Sequence, residues 1–89
     1  MRNPFYIFLL MTQIFWAQPA FEKGNELYRK EKYTEAAAEY ENILKTKQHS
    51  ADLYFNLGNA YYKLNKVGPA IYNYEKALLL SPNNADIQN

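Results

Sequence analysis

The side chains that most often carry out chemistry are few in this chain and poorly placed for it. His49 is the only histidine, and Ser50 follows it directly. A serine nucleophile needs a histidine base that a carboxylate holds in place, and nothing around these two supports such a triad. The expected roles are a solvated turn residue for His49 and a helix cap for Ser50. Glu22, Glu26, Glu35, Glu39 and Glu41 read as solvated helix faces. The absence of cysteine excludes disulfides, thiolate zinc sites and cysteine nucleophiles together. No phosphate-binding loop or metal-ligand cluster is present, so neither catalytic residue, metal nor cofactor is expected. A hydrolytic activity abolished by His49→Ala would overturn that reading.

Binding chemistry is better represented. Phe21, Asn25 and Tyr28 are spaced by four and three residues, as are Phe55, Asn59 and Tyr62, so each triplet is expected to share one face of a helix, distinct from the face of Gly24 or Gly58. Glu22, Arg29, Asn56 and Lys63 flank these faces. Aromatic rings supply contact area at low entropic cost, and asparagine amides pair with a peptide backbone. The same residue types also serve plain helix packing, so these faces either hold a ligand or only hold the helices together.

The elements that must position these residues follow from an internal repeat. A shift of 34 residues superposes Phe21 on Phe55, Gly24 on Gly58, Asn25 on Asn59, Tyr28 on Tyr62, Ala36 on Ala70 and Tyr40 on Tyr74. Self-similarity at this period signals a helical solenoid. Apolar periodicity divides each unit into two helices, expected over 19–31 and 34–47, then 51–64 and 68–80. Pro19 and Pro69 fall at first-turn positions, where a missing N–H is harmless. Ser50 and Asn84 are expected N-caps, and Ser81-Pro82 is expected to stop the fourth helix. Short connections make each pair an antiparallel hairpin.

An interior glycine costs a helix about 1 kcal/mol relative to alanine, so Gly24 and Gly58 need a reason. On the third helix Tyr54, Leu57, Gly58 and Tyr61 form a stripe; on the fourth, Ala70, Ile71, Tyr74, Ala77 and Leu78 form another. The expected arrangement sets Gly58 opposite Ala70, and Gly24 opposite Ala36, at the closest approach of two helix axes, with the large tyrosines filling the space beside them.

Residues 51–84, with Tyr54, Leu57-Gly58, Tyr61, Ala70, Tyr74, Ala77 and Pro82, closely resemble the tetratricopeptide repeat over its whole length. The preceding unit, from Ala17 to Ser50, resembles it less well. Gly24, Ala36 and Tyr40 match, whereas Ala20, Lys23 and Gln48 stand where an aromatic, a leucine and a proline are expected. Such departures suit an end repeat. The resemblance implies an all-α fold of two helical hairpins: repeat 1 over 18–50, repeat 2 over 51–84, and the start of a third repeat or a capping helix over 85–89. It implies a non-enzymatic interaction scaffold, whose first helices line a concave groove for a peptide segment or partner protein. The groove candidates are Phe21, Asn25, Tyr28, Arg29, Phe55, Asn56, Asn59, Tyr62 and Lys63. Some members of the family clamp a carboxylate with asparagines and basic residues; Asn25 and Asn56 fit, but Phe21 stands where a lysine is expected. The run from Trp16 through Leu64 also resembles the start of the tetratricopeptide proteins of the Bacteroides aerotolerance group, which are exported or membrane-associated and continue well beyond this length.

The first 17 residues differ in kind. Arg2 precedes an apolar stretch from Pro4 to Ala17, and polar sequence begins at Gln18. That order fits a signal peptide cleaved after Ala17, although Phe15 stands where a small residue is expected. The stretch spans 14 residues, short of the roughly 20 that cross a bilayer. Export to the periplasm or cell envelope is the expectation, with an inner-membrane anchor or a buried N-terminal helix as alternatives. Ten basic and nine acidic residues, well interleaved, offer no field for nucleic acid. Two repeats are fewer than the three or so that a stable stack needs, so residues 18–89 alone are expected to be marginal or self-associating.

Overall fold

The computed structural model describes residues 18–82, and these form four α-helices. They are α1 (Gln18–Arg29), α2 (Tyr33–Lys45), α3 (Ala51–Lys63) and α4 (Val67–Leu80). The bounds lie within two residues of the expected ones. The proposed leader over 1–17, the Asn84 cap and the segment 85–89 lie outside the described residues. Among the described residues no helix is long and apolar enough to cross a membrane.

The pairing is α1 with α2 and α3 with α4; α2 packs on α3 to join the two hairpins, and α1 touches α3 at the edge of that joint. Each hairpin turn is built the same way. The N–H of Glu31 donates to the Tyr28 carbonyl at 2.9 Å and that of Lys32 to Leu27 at 2.9 Å; Asn65 and Lys66 donate to Tyr62 and Tyr61 at 2.9 Å each. These pairs close the C-termini of α1 and α3 with one residue in the left-handed region, Glu31 at φ 63° and Asn65 at φ 62°. Ser50 caps α3, its Oγ accepting from the Leu53 N–H at 3.1 Å. Ser81 ends α4 with its N–H on the Ala77 carbonyl at 2.9 Å. Pro82, expected among the packing residues, is exposed and only follows this stop.

The core sits at the joint. Ala36, Ala37, Tyr40 and Ile43 from α2 meet Leu53, Leu57 and Ala60 from α3 in one buried cluster. Ala70 and Ala77 are buried between α3 and α4. The expected stripe on α3 is therefore shared between two neighbours: Leu57 and Tyr61 pack back against the cluster with α2 rather than only against α4. Ile71, expected in the buried stripe of α4, is half exposed, because it points to the side on which no further helix of the described residues stands.

Gly58 faces Ala70 as expected, whereas at Gly24 the nearest atoms belong to Tyr40 rather than Ala36, and in both repeats the tyrosine ring stands directly over the glycine. A Cβ at Gly24 would lie 2.6 Å from the Tyr40 ring, and one at Gly58 would lie 2.7 Å from the Tyr74 ring and 3.3 Å from the Ala70 carbonyl. Each glycine makes room for a tyrosine ring. Backbone approach contributes only at Gly58, through the Ala70 carbonyl.

Candidate functional site

The spacing that puts Phe21, Gly24 and Asn25 on one side of α1 also brings them to one tyrosine of α2. The Phe21 and Tyr40 rings lie 6.0 Å apart at 50°, and the Tyr40 hydroxyl donates to Asn25 Oδ1. In the second repeat Phe55 and Tyr74 lie 5.6 Å apart at 45°, and the Tyr74 hydroxyl donates to Asn59 Oδ1. The phenylalanine–asparagine faces are thus continuous with the glycine stripes, not separate from them as expected. Phenylalanine, glycine and asparagine of one helix together hold the tyrosine of the next.

The two boxes are joined. Asn56 Nδ2 donates to Asn25 Oδ1 at 3.1 Å, across the repeat boundary. Above this contact lies a cavity of about 170 Å³ lined by Asn25, Tyr28, Arg29, Tyr40, Asn56 and Asn59. Five of its six lining residues are groove candidates, and Tyr40 forms its base. Phe21, Phe55, Tyr62 and Lys63 do not line it: the two phenylalanines pack on tyrosines, and Tyr62 is largely exposed.

The hydrogen bonds fix what the cavity offers. Each tyrosine hydroxyl donates to an amide oxygen, which leaves the Nδ2 donors of Asn25 and Asn59 free of that bond. Arg29 adds a guanidinium at the rim, its Nη2 held 2.6 Å from Glu26 Oε1. That ion pair holds the Glu26 carboxyl below its usual value and raises Arg29 above its own. Burial pushes the Tyr40 phenol up to about 12, and Tyr74 is raised for the same reason. Both hydroxyls stay protonated at neutral pH and remain donors. The cavity is accordingly rich in N–H groups and suits a carbonyl or carboxylate oxygen.

Three other residues depart from expectation or escaped it. His49 is exposed, as a turn residue should be, yet its Nδ1 lies 2.7 Å from the Tyr54 hydroxyl. Glu41, read as part of a solvated face, is half-buried and accepts from the Tyr61 hydroxyl at 2.6 Å. Asn73 is buried at 4% exposure, its Nδ2 donating to the Pro69 carbonyl at 2.8 Å. The signal was periodicity: Glu41 follows Ala37 by four and precedes Leu44 by three, and Asn73 lies between Ala70 and Ala77 on the buried stripe. Among the described residues no group of histidine, aspartate and glutamate could hold a metal ion.

Two family models match the chain: one described as TPR repeat covers residues 24–65, and one described as Tetratricopeptide repeat covers residues 51–84. No curated protein matches it.

Proposed function

Because the chain belongs to the tetratricopeptide repeat family, whose repeats mediate protein–protein interaction, we propose that it is a non-enzymatic scaffold that holds a peptide segment of a partner protein over the Asn25–Asn56–Asn59 cavity. The observation that carries this reading is the orientation of the amides. Tyr40 and Tyr74 turn the oxygens of Asn25 and Asn59 inward, so the outward groups are donors that a peptide carbonyl or terminal carboxylate accepts from. Tyr28 supplies an apolar wall and Arg29 a positive rim.

The scaffold acts in the cell envelope on this reading. Support comes from the apolar stretch between Pro4 and Ala17, with its polar boundary at Gln18, and from the resemblance to the aerotolerance-group proteins. Residues 1–17 either are removed after export or tether the repeats to the membrane.

A photo-crosslinking amino acid in place of Arg29 in the full chain, expressed in its own cells, tests the peptide site. A covalent protein adduct is expected there and not from Thr34, which is exposed at the start of α2, and Asn59→Ala is expected to abolish it. Equal trapping from both positions, or none from Arg29, would refute the cavity as the site.

A second reading rests on the open end of the second repeat. Ala37 is 5% exposed at the joint, whereas its counterpart Ile71 is 50% exposed, and Val67, Leu79 and Leu80 of the same helix are exposed as well. The chain is then an assembly piece whose open face docks on its own downstream segment or on another copy. Residues 85–89 fit the start of such a segment, since Ala85 and Asp86 repeat Ala51 and Asp52. Light scattering that rises with concentration in the absence of any partner distinguishes self-docking from peptide binding.

A further inference from the structure

A second concavity, of about 520 Å³, lies between α2, α3 and α4 and shares no residue with the asparagine-lined cavity. Tyr54, Tyr61 and Tyr72 form its aromatic walls, and Glu41, His49 and Asn73 supply its polar groups. Glu41 is the informative member. The residue is half-buried, its carboxylate is held by the Tyr61 hydroxyl at 2.6 Å, and no lysine, arginine or histidine nitrogen of the described residues lies within 4.0 Å of that carboxylate. A partly shielded carboxylate that no cation of the described residues pairs with is open to an incoming cation.

The walls suit that cation. Tyrosine faces attract a cation through the ring quadrupole, and the Tyr72 ring draws the Lys76 ammonium to 5.8 Å from its centroid. Asn73 spends its Nδ2 on the Pro69 carbonyl, which leaves its Oδ1 as a second acceptor. A planar group carrying several N–H donors, able to lie against a ring while pairing with a carboxylate, matches this set better than a compact ammonium. Tyr72 is 57% exposed, and Gly68 and Pro69 leave the mouth open.

We propose that this cleft is a binding site for an arginine side chain of a partner protein, with Glu41 as the anionic partner, Tyr61 as the residue that orients it, and Tyr54 and Tyr72 as the walls. The site is independent of the asparagine-lined cavity and stands whether or not that cavity holds a peptide.

The test is a nuclear magnetic resonance titration of the ¹⁵N-labelled full chain with the capped tripeptide Gly-Arg-Gly, beside the same tripeptide carrying citrulline, which keeps the shape and loses the charge. Saturable shifts at Tyr61, Tyr72 and Asn73 are expected with arginine and none with citrulline. Glu41→Gln is expected to weaken the arginine peptide by about tenfold. Shifts centred on Asn25 and Asn59, equal binding of citrulline, an unchanged affinity in Glu41→Gln, or no shift at all would overturn the proposal. Should Glu41→Gln lose its helical circular dichroism, Tyr72→Ala on the exposed rim takes its place. A threefold or so weakening there is expected, and an unchanged affinity overturns the proposal equally.

Discussion

The two repeats are built from one pattern and differ in what surrounds them. Tyr40 and Tyr74 stand 34 residues apart, each over a glycine, beside a phenylalanine and bonded to an asparagine. Tyr40 is 1% exposed because α3 closes over it, whereas Tyr74 is half-buried because, among the described residues, no helix stands beyond α4. The better match to the family pattern is therefore the looser half of the molecule. Agreement with a repeat pattern reports the geometry a unit can adopt; burial depends on the neighbour.

The largest expected effect follows from that contrast. Tyr40→Ala removes an aromatic ring from the centre of the joint and leaves Asn25 without its hydroxyl donor, a loss of about 3–5 kcal/mol for a fully buried ring. A domain this small has little more than that to lose. Tyr74→Ala should cost roughly half as much, since part of its ring faces water already. Thermal melts followed by circular dichroism compare the two, and equal losses would mean that the open end is covered in solution.

The glycines sharpen the same comparison at smaller scale. Gly24→Ala and Gly58→Ala each push a methyl group into a tyrosine ring, at 2.6 and 2.7 Å, and overpacking of this kind costs about 1–3 kcal/mol. Tyr40 is enclosed and bonded, so the first repeat cannot yield; Tyr74 has an open side toward which it can swing. Gly24→Ala is expected at the upper end of that range and Gly58→Ala at the lower, by the same melts. The reverse order would place the cost on the Ala70 carbonyl, the one backbone atom either methyl meets.

A third pair works in the other direction. Glu31 and Asn65 occupy matching left-handed turn positions, and asparagine tolerates that conformation better than glutamate does. Glu31→Gly should raise stability by about 1 kcal/mol, and Asn65→Gly by a few tenths. Chemical denaturation midpoints check it; a loss at Glu31 would show that its side chain does more than tolerate the turn.

Most of the architecture was legible because it rests on short-range rules. Ser50 before Ala51 declares a cap, the 34-residue shift declares the hairpins, and the glycines declare close contact. The detail of that contact was less legible: the spacing places Gly58 opposite Ala70 with tyrosines beside it, and only the packed helices show that the Tyr74 ring lies directly over the glycine. The asparagines were legible as sharing one helix face with the aromatics, yet nothing in their spacing reveals that Tyr40 and Tyr74 take their oxygens. Glu41 and Asn73 were passed over for a plain reason. A polar residue on a buried stripe looks like a solvated one until its partner, here Tyr61 or the Pro69 carbonyl, arrives from elsewhere in the chain.

The smallest expected effect is the one that says most about the open end. Ile71 occupies the place that Ala37 holds at the joint, where exposure is 5% against 50%. A lysine at position 37 would carry its charge into the packed cluster and unfold the joint, whereas Ile71→Lys replaces an exposed apolar side chain and should change stability by no more than about 0.5 kcal/mol. Its effect should appear instead in association: if the face docks on copies of this chain, light scattering of the wild type rises with concentration and that of Ile71→Lys stays flat. Should Ile71→Lys melt as early as Ala37→Lys, position 71 is buried in solution within a single chain. The residues beyond Pro82 then complete the stack that α4 leaves open, and the second repeat is an inner unit rather than an end.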